Sequence, residues 1–140
     1  MKRFVAIMCL SVLSIMAVSA QQSMWGGSGS VVALPNRIMP SDQVEISYFV
    51  TQSRGTGTGD FRCEVTGPGG VIHIAQKASS EWNNGKAAAS FLYPNDFSGN
   101  DSVRASTKLR GIYYFQCYWY IAGYGVNGKV AASSGLFRVE

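Results

Sequence analysis

Residues 109–121, Leu-Arg-Gly-Ile-Tyr-Tyr-Phe-Gln-Cys-Tyr-Trp-Tyr-Ile, constrain the fold more than any other part of the chain. This segment contains six aromatic residues, and most of its positions carry residues that favour β-strands. Successive side chains of a strand point to opposite faces. We therefore predict a strand whose inner face packs into a hydrophobic core. That face consists of Tyr113, Phe115, Cys117, Trp119 and Ile121.

The rest of the chain alternates between short strand-like segments and turns. Gly67-Pro-Gly-Gly70 is the clearest turn signal, and helical periodicity is nearly absent. This pattern predicts an all-β domain, an immunoglobulin-like sandwich of about seven antiparallel strands. The long polar stretch at 95–108 is typical of a connection that crosses from one sheet to the other.

Residues 1–20 have the pattern of a secretory signal peptide. Lys2 and Arg3 precede a short apolar stretch, and Val18-Ser-Ala20 forms a small-residue cleavage site. The apolar stretch is too short to span a bilayer, so no membrane span is predicted. We expect a secreted protein, extracellular or associated with a cell wall. A flexible lead-in at 21–29 would precede the sandwich domain at 30–140.

The charge pattern argues against a nucleic-acid partner. Cleavage after Ala20 would remove Lys2 and Arg3, leaving ten basic residues against eight acidic ones. The remaining basic residues are scattered, and only Arg104, Lys108 and Arg110 are close in sequence. A nucleic-acid site requires a denser basic patch, so none is predicted.

The cysteines predict one disulfide bond. Cys9 would be lost with the leader, which leaves Cys63 and Cys117 in an exported chain. Cys63 falls in the third predicted strand, which favours a bridge between neighbouring strands over one that crosses the core. Closing so long a loop is worth roughly 4 kcal/mol in the chain-entropy model. Two cysteines cannot form a structural zinc site, and no metal or cofactor is predicted.

Three short motifs resemble a known family. They are Val-x-Ile-Ser-Tyr at 44–48, Ser-Phe-x-x-Pro-x-Asp at 90–96 and Ala-Ala-Ser-Ser-Gly-Leu-Phe-Arg-Val at 131–139. Together they resemble the immunoglobulin-like N-terminal domain of fungal wall proteins linked to β-glucan assembly. The resemblance implies a β-sandwich fold and a location in a cell wall.

Catalytic chemistry has few candidates in this sequence. His73 is the one histidine, and it stands between Ile72 and Ile74 in a predicted strand, where a structural role is typical. Asp60 and Glu64 share a strand face, but Arg62 lies between them and predicts a surface charge ladder. We therefore predict that the protein is not an enzyme.

The loop that begins at Asn95 could carry a modification. Asn100-Asp-Ser102 is a glycosylation sequon, which predicts that Asn100 lies in a surface loop. Asp96, Asn100 and Asp101 also offer oxygen atoms to calcium, but they lack the spacing of a calcium-binding loop. A plain turn is the favoured interpretation.

The outer face of the aromatic strand is the candidate binding site. Its members are Tyr114, Gln116, Tyr118, Tyr120 and, just beyond the strand, Tyr124. A row of aromatic side chains on a sheet can stack on sugars or anchor a protein partner. The alternative is that these rings are covered by a second layer or by the 123–129 loop.

These observations predict a secreted, non-enzymatic module that binds an extracellular polysaccharide or protein through its aromatic sheet face. The alternative function is a structural component of a cell wall or extracellular matrix that has no discrete site.

Overall fold

The computed structural model describes residues 27–52, 59–78, 86–100, 103–121 and 123–140. The predicted signal peptide and residues 21–26 of the predicted lead-in lie outside the described residues, as do Asp101 and Ser102 of the sequon.

Eight strands and one short helix form the described part of the chain. The strands are β1 (Gly27–Leu34), β2 (Arg37–Ile38), β3 (Val44–Gln52), β4 (Asp60–Thr66), β5 (Ile72–Ala78), β6 (Lys86–Tyr93), β7 (Gly111–Tyr120) and β8 (Lys129–Val139). A 3-10 helix at Gly125–Gly128 immediately precedes β8.

The strands form two sheets, which confirms the predicted all-β sandwich. The smaller sheet has the order β1-β3-β6, and the larger has the order β2-β8-β7-β4-β5. The connection between β6 and β7 passes from the smaller sheet to the larger one, as its length and polarity predicted. The aromatic strand β7 lies at the centre of the larger sheet.

The sequence did not predict β2, which has only two residues and runs parallel to β8. It is defined by hydrogen bonds to the end of the chain, from Arg138 N to Asn36 O and from Glu140 N to Ile38 O, both 2.9 Å. So short a strand has no periodicity of its own. Its existence depends on contacts with a segment about 100 positions away, as non-local pairing generally does.

Alternation along β7 places its inner face in the core, as predicted. Tyr113, Phe115, Cys117, Trp119 and Ile121 are all buried. Their partners on the smaller sheet come from β3 and β6, where Tyr48, Phe91 and Tyr93 are fully buried. The ring of Tyr93 packs edge-on against Tyr113, with the centroids 5.7 Å apart. Aromatic contacts of this geometry add to the stabilisation from apolar burial.

A disulfide bond joins Cys63 of β4 to Cys117 of β7. The two residues lie directly opposite each other on neighbouring antiparallel strands, so the bridge lies within one sheet. This confirms the predicted pairing and the prediction that the bridge does not cross the core.

The two sheets approach each other closely where β1 passes β8. A Cβ atom on Gly29 would collide with the backbone carbonyl of Ala131 and with the ring of Tyr48. The Tyr48 hydroxyl donates to that same carbonyl at 2.6 Å. Glycine at position 29 is therefore required by space, because any side chain would push the two strands apart.

The β6–β7 connection covers the open edge of β5. Ile74 N donates to Ser98 O at 2.9 Å, and Ser98 N donates back to Ile74 O at 3.2 Å. Pairing of this kind protects an edge strand from other chains.

Candidate functional site

The candidate binding site lies on the outer face of the five-stranded sheet. Residues that pair across antiparallel strands share a face, so the register defines transverse rows. One row runs Ile72, Thr66, Tyr114 and Leu136 from β5 to β8. The next row runs Ile74, Glu64, Gln116 and Ser134. Tyr118 and Tyr120 lie farther along β7, opposite Arg62 and Asp60 of β4.

Tyr118 is buried, with only 2% of its surface exposed, so the prediction that it belongs to an open aromatic row is wrong. Its hydroxyl donates to Glu64 Oε1 at 2.8 Å. The Lys129 ammonium lies 4.8 Å from the centre of the tyrosine ring and 3.4 Å from the same carboxylate oxygen. These contacts make Tyr118 part of the sheet's own packing.

The pKa of Tyr118 is raised above the ordinary tyrosine value. Burial of the ring is the main cause, because the charged phenolate would lose its hydration. The hydrogen bond to Glu64 raises the pKa further, and Arg62 opposes the shift. The phenol is therefore neutral at physiological pH and acts as a hydrogen-bond donor.

Tyr120 is partly covered by an arginine. The Arg62 guanidinium lies 3.9 Å from the centre of the Tyr120 ring, within the range of a cation–π contact. Tyr118 and Tyr120 meet edge-on, with their ring planes at 71°. The two rings therefore do not form the open aromatic row that the sequence predicted. Arg62 covers one face of the Tyr120 ring, and the Tyr118 ring is steeply inclined to it.

Arg62 also departs from the predicted charge ladder. In the described residues it forms no ion pair with Asp60 or Glu64. Asp60 instead accepts a hydrogen bond from Gln76 Nε2 at 2.7 Å, and Glu64 pairs with Lys129. The ladder prediction considered only one strand, whereas the partners come from β5, β7 and β8.

The opposite end of the sheet is open and apolar. Tyr114 is 57% exposed, its neighbour Leu136 is 52% exposed, and Ile72, on the far side of Thr66 in the same row, is 51% exposed. Gln116 is exposed one row away on the same face of β7. We use the name exposed row for Ile72, Tyr114 and Leu136 together with Gln116 of the adjacent row. Of the five predicted binding residues, Tyr114 and Gln116 belong to it.

Tyr124 lies apart from this row. It is exposed and directly precedes the 3-10 helix, beyond the end of β7. Tyr114 and Tyr120 alone are roughly 20 Å apart at the usual rise of a strand. A ligand that contacts Tyr114 and Tyr124 together must therefore span the sheet.

Sequence reasoning missed Ile72 and Leu136 as parts of the site. Each follows a β-strand alternation that could have placed it on an outer face, but nothing in either segment indicates that it lies beside Tyr114. Their place in the row of Tyr114 depends on the register of β5, β4, β7 and β8.

The other sequence candidates lie elsewhere. His73 lies on the inner side of β5, opposite the buried Val65. Asp96 is part of a turn, since its Oδ2 accepts from Leu92 N at 2.8 Å and lies 3.6 Å from the Lys77 ammonium. Asn100 is exposed, and its glycosylation stays a prediction.

The described segments contain no group of three or more histidine, cysteine, aspartate or glutamate residues that could hold a metal ion. None of their helices has the length and apolar character needed to cross a membrane.

Comparison with known proteins gives a structural match. No family model matches the chain, and no curated protein sequence matches it. The fold is similar to the crystal structure of the CARDB domain of the PF1109 protein from Pyrococcus furiosus, which was solved in complex with di-metal ions. The TM-score is 0.51 at 11% identity, over 84% of this chain and 94% of that chain. The protein is thus a β-sandwich domain with a buried aromatic cluster, and its fold is similar to that of the CARDB domain. At this identity the likeness defines the fold alone.

Proposed function

We propose that this protein is a secreted, non-enzymatic binding module that recognises an extracellular protein or polysaccharide through the exposed row. The observation that carries the proposal is the exposure of Tyr114 beside Leu136 on a regular sheet face, with the exposed Ile72 beyond Thr66 in the same row. Apolar side chains that lie together at the surface are typical of interaction sites.

The chemistry of the exposed row favours a protein over a polysaccharide. Sugar-binding faces use aromatic rings that stack on the sugar, and here Tyr118 and Tyr120 are engaged by Lys129 and Arg62. One tyrosine beside Leu136, with Ile72 farther along the same row, matches the aromatic anchor of a protein interface. Gln116 adds an amide that can bond to a partner's backbone. A wall polysaccharide, which the resemblance to fungal wall domains implies, is the second ligand class.

Secretion is supported by the disulfide bond, which persists in oxidising compartments, and by the signal-peptide pattern at 1–20. The non-enzymatic part of the proposal rests on the scarcity of catalytic residue types. The single histidine of the sequence is placed on the core side of β5, and Glu64 is paired with Lys129.

The test is a binding assay with the mature protein and a matched pair of variants. Binding is measured to insoluble glucan, chitin and cellulose, and to the extracellular protein fraction of the source organism. Tyr114→Ala removes a ring worth on the order of 1–3 kcal/mol of contact and should weaken binding about tenfold or more. Phe49→Ala is the control, because Phe49 is equally exposed on the outer face of the other sheet.

Equal loss of binding in the two variants would contradict a site at the exposed row. If the protein is retained by none of these materials, the binding proposal fails and the alternative role as a structural wall or matrix component takes its place.

A further inference from the structure

A pocket of about 240 Å³ opens at the end of the sandwich near the β4–β5 turn. It includes the core-side residues His73 and Tyr113, whereas the neighbouring Ile72 and Tyr114 of the exposed row lie on the outer face of the sheet. Its walls come from the β4–β5 turn, from the core side of β5 and from the last part of the connection that leads into β7. A cavity of roughly 150 Å³ is large enough to take up benzene. This pocket therefore has room for a larger molecule that carries an additional polar group.

Most of the lining is apolar. Three aliphatic side chains at the pocket, Val71, Val103 and Leu109, are exposed to solvent, and Leu109 is 63% exposed. The buried ring of Tyr113 also contributes to the wall. Its hydroxyl donates to Leu109 O, so the tyrosine presents its ring to the pocket and uses its polar atom within the fold. Exposed aliphatic groups that converge on a concavity favour an apolar ligand.

Two nitrogen-bearing side chains stand beside this apolar lining. Arg104 is exposed and lines the pocket, and no ion pair among the described residues involves it. His73 also lines the pocket, and its Nδ1 atom is buried with no hydrogen bond to the described residues. None of the described residues that line the pocket carries a carboxylate side chain. Among the described residues, the pocket therefore combines an apolar wall with a guanidinium that has no carboxylate partner.

We propose that this pocket is a binding site for a small apolar monocarboxylate, with the carboxylate at Arg104 and the hydrocarbon part against Leu109 and Val103. Arginine binds carboxylates through two parallel N–H donors, and a partly apolar setting strengthens such bonds. This site is separate from the exposed row and from the binding function proposed for it.

The test is a methyl and amide NMR titration of the mature protein with 3-phenylpropionate and, separately, with octanoate. Saturable shifts are expected at Val71, Leu109 and His73, with a Kd on the order of 0.1–1 mM for ligands of this size. The neutral amide 3-phenylpropionamide should bind about tenfold more weakly, because it lacks the charge that Arg104 recognises.

Matched variants separate the site from general charge effects. Arg104→Gln should weaken binding of the acid about tenfold and leave amide binding within about twofold, whereas Arg110→Gln, an exposed arginine outside the pocket, should change neither. Leu109→Glu places a like charge at the pocket and should abolish binding of the acid. The proposal is overturned if neither acid gives saturable shifts at these residues, if the amide binds as tightly as the acid, or if both arginine variants behave alike.

Discussion

Tyr114 and Tyr118 have the same side chain and point to the same face of one strand, yet the first is exposed and the second is buried. Their neighbours explain the difference. Tyr114 lies beside Thr66 and Leu136, which are too short to cover a phenol ring. Tyr118 is contacted by the long charged side chains of Glu64 and Lys129, whose aliphatic parts can cover a ring while their charged ends remain hydrated.

The first prediction is that the hydroxyl of Tyr118 stabilises the fold. Tyr118→Phe removes the hydrogen bond to Glu64 and should lower the free energy of unfolding by about 1.5–3 kcal/mol, the range for bonds to charged groups. Tyr114→Phe should change it by less than about 0.5 kcal/mol, as exposed positions generally do. Urea unfolding followed by tryptophan fluorescence measures both. Equal effects at the two positions would mean that the Glu64 contact contributes nothing.

The sequence predicted the inner face of β7 in full and the outer face only in part. Alternation alone identifies Phe115 and Trp119 as core residues, because the two alternating sets of side chains can be read from one continuous segment. Exposure of the outer face is decided by the register with β4 and β8. Arg62 lies over Tyr120, and Lys129 over Tyr118, from other strands, and no local pattern indicates those contacts.

At the scale of strands, the close contact between β1 and β8 depends on glycine at position 29, which has no side chain. Gly29→Ala would place a methyl group against the Ala131 carbonyl, which is backbone and cannot rotate away. Forcing extra volume into packed structure typically costs 1–3 kcal/mol, so we expect a loss of about that size. Ser30→Ala, at the next position of β1 and exposed, is the control and should be nearly neutral. Thermal unfolding measures the two variants, and equal midpoints would contradict the close approach.

The disulfide bond between β4 and β7 gives a second prediction at the scale of strands. Cys63→Ala combined with Cys117→Ala removes a bridge between residues 54 positions apart and should destabilise the protein by about 4 kcal/mol. Peptide mapping by mass spectrometry without reduction should recover the two cysteines in one linked pair from secreted material. Free thiols at both positions would contradict the bridge.

Strand boundaries were less predictable than strand identities. The sequence placed residue 129 in a loop at 123–129, whereas β8 already begins at Lys129. Its pairing with β7 shifts register between Cys117 and Trp119, which lets Val130 and Lys129 continue the ladder. The glycine-rich segment before it forms a 3-10 helix, and Gly128 O accepts from Ile121 N at 2.9 Å. Such irregularities depend on the partner strand and leave little trace in the local sequence.

At the scale of the whole molecule, several buried tyrosines share one electrostatic property. Burial raises the pKa of Tyr48, Tyr93, Tyr113 and Tyr118 above the ordinary value. In the unfolded chain these phenols titrate near pH 10. Above that pH the unfolded state releases protons that the folded state retains, so stability is fully present below pH 10 and falls as the pH rises.

The corresponding prediction concerns alkaline unfolding. The free energy of unfolding should be nearly constant from about pH 7 to 9. It should then decrease by up to about 1.4 kcal/mol per pH unit for each tyrosine that stays neutral in the fold. Urea unfolding at pH 9, 10 and 11 measures the slope. Tyr48→Phe removes one of these groups and should make the slope shallower, and an unchanged slope would contradict the assignment for Tyr48.

The fold class was predictable because a sandwich repeats one simple pattern over many strands, and errors in single strands do not change the outcome. The binding site was less predictable, since the exposed row takes Ile72, Tyr114 and Leu136 from three different strands. No sequence pattern of this kind identifies the ligand, because one fold supports many functions.

The position of the Cys63–Cys117 bridge also determines how this molecule would respond to a pulling force applied at its two ends. The N-terminal strand belongs to one sheet and the C-terminal strand to the other, and the bridge connects neither of them. Tension can therefore separate β1 and β8 without breaking a covalent bond. It cannot extend the chain between the two cysteines, 54 positions that would otherwise add roughly 190 Å of contour length. In the oxidised protein the segment between the two cysteines therefore cannot extend under load. Reduction of the disulfide would allow it to do so.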